Sequence, residues 1–203
     1  MLRRLGFALP LAAIALALVS QTASAGKFNK VLSVGDDAPT FANIVGTNDD
    51  KYGLDTFKDA KAVVLVFTCN NCPVAVACED RIIDLQKDYK DKGVQVVAIN
   101  VNNGDGDRLD SMKERAAAKK FNFPYIYDPS QKVARDYGAG VTPDVVVLDQ
   151  NRKVAYLGAI DNDALNESAA NKHYVRDALD AVLSGSKPAV TETKAKGCGI
   201  KYE

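Results

Sequence analysis

Histidine is all but missing from this chain: His173 is the single one among 203 residues. One imidazole without partners supplies neither a metal ligand set nor a base beside a nucleophile, so chemistry built on histidine is a poor reading. His173 opens an amphipathic segment and reads as a surface or helix-start residue. Charge of one sign is lacking too, with 26 Lys and Arg against 26 Asp and Glu. No basic patch or basic–aromatic stripe appears, which argues against nucleic acid as a partner. There is no internal repeat. Long apolar runs are scarce: Phe7 to Val19 is the one such run, broken by Pro10, and it falls short of the roughly 20 residues that a membrane span requires.

That run is informative for another reason. Arg3 and Arg4 precede it and Ala23-Ser24-Ala25 follows it. A positive start, a short apolar stretch and small residues form a secretory signal, predicted over residues 1–25 with Gly26 as the new N-terminus. An uncleaved anchor is the alternative. No cysteine follows the small residues, so a lipid anchor is not expected. Cleavage leaves a slightly acidic chain without stable membrane insertion, periplasmic or secreted. It comprises one domain of about 160 residues, 26–186, and a C-terminal arm, 187–203. Outside the cytosol, disulfides can form and persist.

Val34-Gly35-Asp36-Asp37-Ala38-Pro39 is a turn-rich opening to the domain. The apolar, β-branched run from Lys61 to Thr68 predicts a buried central strand, and Val94 to Val101 a second. Between them, Pro73 is a residue tolerated in a first helical turn. Ala75, Cys78, Ile82, Leu85 and Tyr89 then recur at helical spacing until Gly93. Arg108 to Phe121 is helical in composition, Phe123 to Tyr127 a short strand and Gln131 to Tyr137 a short helix. Val145–Leu148 and Val154–Leu157 flank the turn Asp149-Gln150-Asn151-Arg152, which reads as a hairpin. Val175, Ala178, Leu179 and Val182 mark a last amphipathic helix, and 185–197 reads as a loose arm. Alternating strands and helices followed by a hairpin predict an α/β domain with a mixed central sheet flanked by helices.

The chemistry concentrates in Thr68-Cys69-Asn70-Asn71-Cys72-Pro73, between the buried strand and the helix start. Two cysteines with two residues between them can close a small disulfide ring, and a helix start favours the thiolate. Cys69 is expected to be the more exposed sulfur and the nucleophile. Cys72, inside the first turn, then resolves the mixed disulfide. A structural disulfide is a competing reading. Zinc needs a second ligand pair, which Cys78 and Cys198 do not form, and haem attachment needs histidine where Pro73 stands. No metal or other cofactor is expected.

The chain resembles the thioredoxin-like redoxins, and more closely their exported, peroxiredoxin-like group. The likeness runs through V-G-D-D-A-P at 34–39, V-F-T-C-N-N-C-P at 66–73, V-V-A-I-N at 96–100 and F-P-Y-I-Y-D at 123–128. It continues through V-T-P-D at 141–144, Y-L-G-A-I-D at 156–161 and G-C-G-I-K at 197–201. The resemblance implies a thioredoxin fold with Pro143 as a cis-proline beside the dithiol, and Thr142 as a contact for an incoming partner chain. It also implies thiol–disulfide exchange with a disulfide-bearing protein or a small thiol. A reductant outside the cytosol would need a membrane partner as electron donor.

Departures from the family pattern narrow this. Asn71 stands where relatives often carry histidine, and asparagine cannot lower a thiol pKa by charge. Val63 stands where thioredoxins bury an acidic residue. The peroxidase pattern P-x-x-x-T-x-x-C fails in both registers, meeting Cys69 and Leu65 before Cys72, and Val66 and Ala62 before Cys69. Arg135 is a peroxide-holding arginine by elimination alone. Peroxidase activity and a binding module with a static disulfide stay open as alternatives.

Four positions remain. Cys78, on the apolar stripe, reads as a small hydrophobe. Six helical residues, roughly 9 Å along the axis, keep it from bridging to Cys72. Cys198, between two glycines, has three readings: a third redox thiol folding back to Cys69 and Cys72, a structural bridge to Cys78, or a free tail thiol. Asp144 reads as a proton relay, a repeller of acidic partners or a solvent-facing turn residue. The oxygen-rich loop Asn102–Asp107 lacks the glutamate of a calcium loop and reads as a solvated turn.

Overall fold

The computed structural model describes residues 26–203. The proposed signal segment, 1–25, lies outside the described residues. The strands are β1 (Ile44–Gly46), β2 (Lys51–Tyr52), β3 (Ala62–Thr68), β4 (Val94–Asn100), β5 (Tyr125–Tyr127), β6 (Val141–Thr142), β7 (Asp144–Leu148), β8 (Val154–Gly158) and β9 (Cys198–Gly199). The α-helices are α1 (Pro73–Ala77), α2 (Glu79–Tyr89), α3 (Leu109–Lys119), α4 (Lys132–Tyr137) and α5 (Tyr174–Leu183).

Seven strands form one mixed sheet in the order β2-β1-β5-β4-β3-β7-β8. β3 runs parallel to β4 and antiparallel to β7, so the strand predicted to be central is central. All seven residues of β3 are buried, as its unbroken apolar run requires. Alternate side chains divide between two cores. Val63, Leu65 and Phe67 pack with Val133, Ala134 and Tyr137 of α4. Val64 and Val66 pack with Ile82 and Leu85 of α2, Met112 of α3 and Leu179 of α5. Helices on both faces of a mixed sheet give the α/β arrangement read from the sequence.

Three elements differ from that reading. The helix after the dithiol is not continuous but breaks at Cys78 into α1 and α2. Arg81 Nη2 donates to the Ala77 carbonyl at 3.1 Å, so a side chain takes up a carbonyl at the break. The hairpin β1–β2 escapes periodicity because two or three residues carry no pattern. The arm after α5 is not loose. Thr193 N–H donates to Leu157 O at 2.9 Å, and Glu192 accepts N–H groups from Lys27, Phe28 and Asn29, tying the arm to β8 and to the domain's first residues.

Arg81 also meets Asp161 at 2.5 Å in an ion pair whose side chains are 5% and 3% exposed. Its Nη1 donates to Asp163 O at 2.9 Å, which joins α2 to the loop after β8. Removing one partner strands the other charge away from water. Asp161→Ala is therefore expected to lower unfolding free energy by about 3–5 kcal/mol. Urea unfolding checks this, and a loss below about 1 kcal/mol, the range of exposed pairs, would contradict it.

Candidate active site

β3 delivers Cys69 one residue beyond its end, and the chain turns through Asn70 and Asn71 into α1. Cys72 is the N-cap of α1, with φ −84° and ψ 118°, and Pro73 follows in the first turn. The Ala75 N–H donates to Cys72 Sγ at 3.4 Å, so the sulfur occupies the place of a capping oxygen. Both cysteines are buried, Cys69 at 4% and Cys72 at 2% exposure, so the expected contrast in exposure is marginal.

The second wall of the site comes from β6. The Thr142–Pro143 peptide bond is cis. Thr142 Oγ1 lies 3.3 Å from Cys69 Sγ, and the Thr142 carbonyl oxygen lies 3.0 Å from Cys72 Sγ. One residue therefore touches both sulfurs. Their acidities diverge. Burial pushes the Cys69 thiol up, the Thr142 hydroxyl draws it back, and the nearby Asp107 charge opposes its ionisation again. Burial works against the Cys72 thiolate as well. There, hydrogen bonding by the Cys198 thiol, the Ala75 N–H and the Thr142 hydroxyl outweighs it and brings the pKa below its ordinary value. Backbone N–H groups of Asn71 and Cys72 favour the Cys69 thiolate too, but burial prevails there, so the thiol held below its ordinary value is Cys72, the reverse of what the nucleophile assignment expects.

A polar network holds the two residues between the cysteines. Asp107 accepts the Asn70 backbone N–H at 2.6 Å and Asn71 Nδ2 at 3.0 Å. Asn100 Nδ2 donates to the Asp107 carbonyl at 3.1 Å, and the Tyr125 hydroxyl donates to Asn70 Oδ1 at 2.9 Å. Asp107 is 4% exposed. This corrects the reading of 102–107 as a solvated turn: its last residue is a buried carboxylate that pins the dithiol loop. An aspartate following an asparagine-rich segment was the available signal, and nothing local ties it to residue 70.

A redoxin family model matches residues 33–173, well over half of the chain. The chain belongs to the redoxin family. Its mixed sheet, dithiol at a helix start and adjacent cis-proline make this redoxin a thioredoxin-fold protein. A crystal structure of a hypothetical protein from Sinorhizobium meliloti is similar at 32% identity, with a TM-score of 0.79 over 85% of this chain and 96% of that one. A crystal structure from Chlorobium tepidum, described as a putative thiol:disulfide interchange protein DsbE, is 27% identical. Its TM-score is 0.62 over 75% of this chain and 99% of its own. Among curated proteins, the thiol-disulfide oxidoreductase ResA of Bacillus thuringiensis is 28% identical over 124 residues, 61% of this chain and 68% of that protein.

The other singled-out residues of the redoxin fall into place around this centre. Cys78 is fully buried, its thiol donating to Ala164 O at 3.4 Å. Burial pushes its pKa up to about 11, in keeping with an inert core thiol. Cys198 sits at Cys72, with its N–H donating to Cys72 Sγ at 3.4 Å, and not in a bridge to Cys78. Arg135 does not face the dithiol: its guanidinium stacks on Tyr202 and bonds the Glu203 carbonyl. Val63 is a core residue, and His173 is the exposed N-cap of α5.

Two tests follow from these contacts. Asp107→Asn removes the negative charge near Cys69, so the Cys69 pKa should fall and its alkylation by iodoacetamide at pH 7–8 should quicken, read by mass spectrometry. An unchanged pH profile would contradict the electrostatic role. Asp144, half-buried beside Pro143, accepts the Gly140 N–H at 3.2 Å, and burial pushes its carboxyl up to about 6. In the unfolded chain that group titrates near 4. Between these values the folded state binds the proton more tightly, so stability falls as pH rises and stays lower above pH 6. Asp144→Asn should remove that slope and stabilise the protein at pH 7–8 by about 1 kcal/mol, allowing for partial exposure. Thermal melts of both proteins at pH 4 to 8 check it.

Proposed function

We propose that this redoxin is an exported thiol–disulfide oxidoreductase that exchanges disulfides with a protein or small-thiol partner through Cys69 and Cys72. The observation that carries the reading is the placement of both sulfurs against Thr142, beside a cis-proline and at a helix start. In the reducing direction Cys69 attacks one sulfur of the partner's disulfide, forming a mixed disulfide and releasing the other as a thiolate. Cys72 then attacks Cys69 Sγ, closing the Cys69–Cys72 bond and freeing the partner's second thiol. Two electrons pass to the partner, and each departing thiolate takes a proton. The oxidising direction runs the same steps backwards.

Thr142 and Pro143 form the edge along which the partner's backbone lies. Family membership and the ResA and DsbE likenesses support the reaction class. Export rests on the leader at 1–25. No helix among the described residues is long and apolar enough to cross a membrane. Working as a reductant outside the cytosol, the protein would draw electrons from a membrane donor. Peroxidase chemistry gains no support from Arg135, which is engaged with the tail.

The test is exchange with a model disulfide protein, together with the potential of the Cys69–Cys72 couple. Turnover should fall at least about a hundredfold in Cys69→Ser, since each cycle needs the nucleophile. A potential below about −300 mV with no exchange would mark the bond as a static one. Rapid peroxide consumption lost in Cys69→Ser would instead favour the peroxidase.

A further inference from the structure

The last residues of the chain are built onto the dithiol. β9 pairs antiparallel with β6, with Thr142 opposite Cys198 and Val141 opposite Gly199. The Ile200 N–H donates to Gly140 O at 3.1 Å, continuing the ladder. Beyond it the tail is anchored by its backbone and side chains. Gln131 Nε2 donates to Lys201 O at 2.8 Å, the Glu203 N–H donates to Gln131 Oε1 at 2.8 Å, and the Tyr202 hydroxyl donates to Ala139 O at 2.6 Å. Ile200 joins the core beneath α4.

Gly197 shows how close the approach is. A Cβ there would lie 2.0 Å from the Thr142 carbonyl oxygen and 2.6 Å from its carbon, so only glycine lets the tail reach this peptide. The strand covers the backbone of the residue that both cysteine sulfurs touch. It also brings Cys198 to Cys72, where its N–H donates to the sulfur at 3.4 Å. Cys69 and Cys72 are buried, whereas Cys198 is exposed.

We propose that Cys198 is a third redox-active residue of this redoxin, delivered by the tail strand, and that it takes the disulfide from the buried pair to the surface by forming a Cys72–Cys198 bond. The step is an isomerisation. Starting from the Cys69–Cys72 disulfide, the Cys198 thiolate attacks Cys72 Sγ, the Cys72–Cys198 bond forms and the Cys69–Cys72 bond breaks. Cys69 leaves as a thiolate and takes up a proton equivalent to the one Cys198 lost. One disulfide and one thiol stand on each side, so no further oxidant is consumed. The exchange partner of the proposed function supplies the initial disulfide, and the inference rests on that reading for its context.

While Cys72 is ionised, Cys198 keeps its proton: the hydrogen bond to Cys72 pushes its pKa up to about 11. Once Cys72 is in a disulfide, that charge is gone and Cys198 is released to react. The transfer leaves Cys69 a free thiol and places one sulfur of the disulfide on an exposed strand. The docked strand also occupies the β6 edge, so an extended partner binding there has to displace it.

The experiment is a disulfide map of the full chain, oxidised with diamide and digested with trypsin. Peptide 62–81 carries Cys69, Cys72 and Cys78, and peptide 197–201 carries Cys198. The wild-type protein should yield the cross-link between these two peptides, with fragmentation locating it at Cys72. Cys69→Ser, which cannot form the competing bond, should yield it as the main oxidised species. Gly197→Val, which expels the tail but keeps the thiol, should slow that cross-link roughly tenfold through loss of the docked geometry. The inference is overturned if Cys198 stays fully alkylatable in both wild type and Cys69→Ser after oxidation, or if the cross-link runs through Cys78. Exchange on the model disulfide protein separates the two readings. Exchange without the cross-link removes this inference alone, whereas the cross-link without exchange removes the proposed function alone.

Discussion

The Thr142–Pro143 peptide lies against both sulfurs of the dithiol and beneath the C-terminal strand, and the order of the site depends on its staying there. Thr142 is 1% exposed, so each polar atom it offers needs a partner inside the protein. Its hydroxyl meets Cys69, its carbonyl meets Cys72, and its backbone pairs opposite Cys198. A displacement of this residue alters the environment of three thiols at once. Thr142 favours both thiolates alike; acidity is divided unevenly because burial and the Asp107 charge prevail at Cys69, whereas Cys198 and the Ala75 N–H prevail at Cys72.

Around this hub the protein uses neutral donors where some relatives use charge. Asn71 carries no imidazolium, and Val63 is a core residue rather than a buried acid. Asp107 supplies the nearby carboxylate instead, reached from a loop after β4, and spends its oxygens on Asn70, Asn71 and Asn100. A carboxylate so engaged orders the dithiol loop while its charge opposes the Cys69 thiolate. The favourable side of the balance falls to Cys72, through Cys198, Ala75 and Thr142.

Legibility in the sequence followed the size of each physical signal. β3 and β4, with seven residues each, announce themselves through apolar runs that burial on both faces demands. The β7–β8 hairpin and α5 were equally readable from turn chemistry and helical spacing. The break at Cys78 was not, because the apolar stripe continues through it and the interruption involves a guanidinium bound to Asp161, 80 residues away. β6 and β9 have two residues each and no period. The arm looked loose because glycine, lysine and threonine carry no packing signal, yet its hold on the domain is largely backbone pairing, which composition does not reveal.

The sequence by itself determined the kind of chemistry. Two cysteines at that spacing, after a buried strand and before a helix-starting proline, can be recognised locally because strand, turn and helix are short-range events. It also limited that chemistry, by the single histidine and the missing peroxidase register. Tertiary structure decided which groups tune the dithiol and how many sulfurs the site contains. Asp107, Thr142 and Cys198 lie 38, 73 and 129 residues from Cys69 by numbering. They reach the dithiol only because the central sheet sets the ends of β3 and β4 side by side, the separate β6–β9 pair lies against that end, and Gly197 leaves room for the tail. Contacts closed over such distances depend on the packing of the whole domain, and no stretch of the chain carries that information alone.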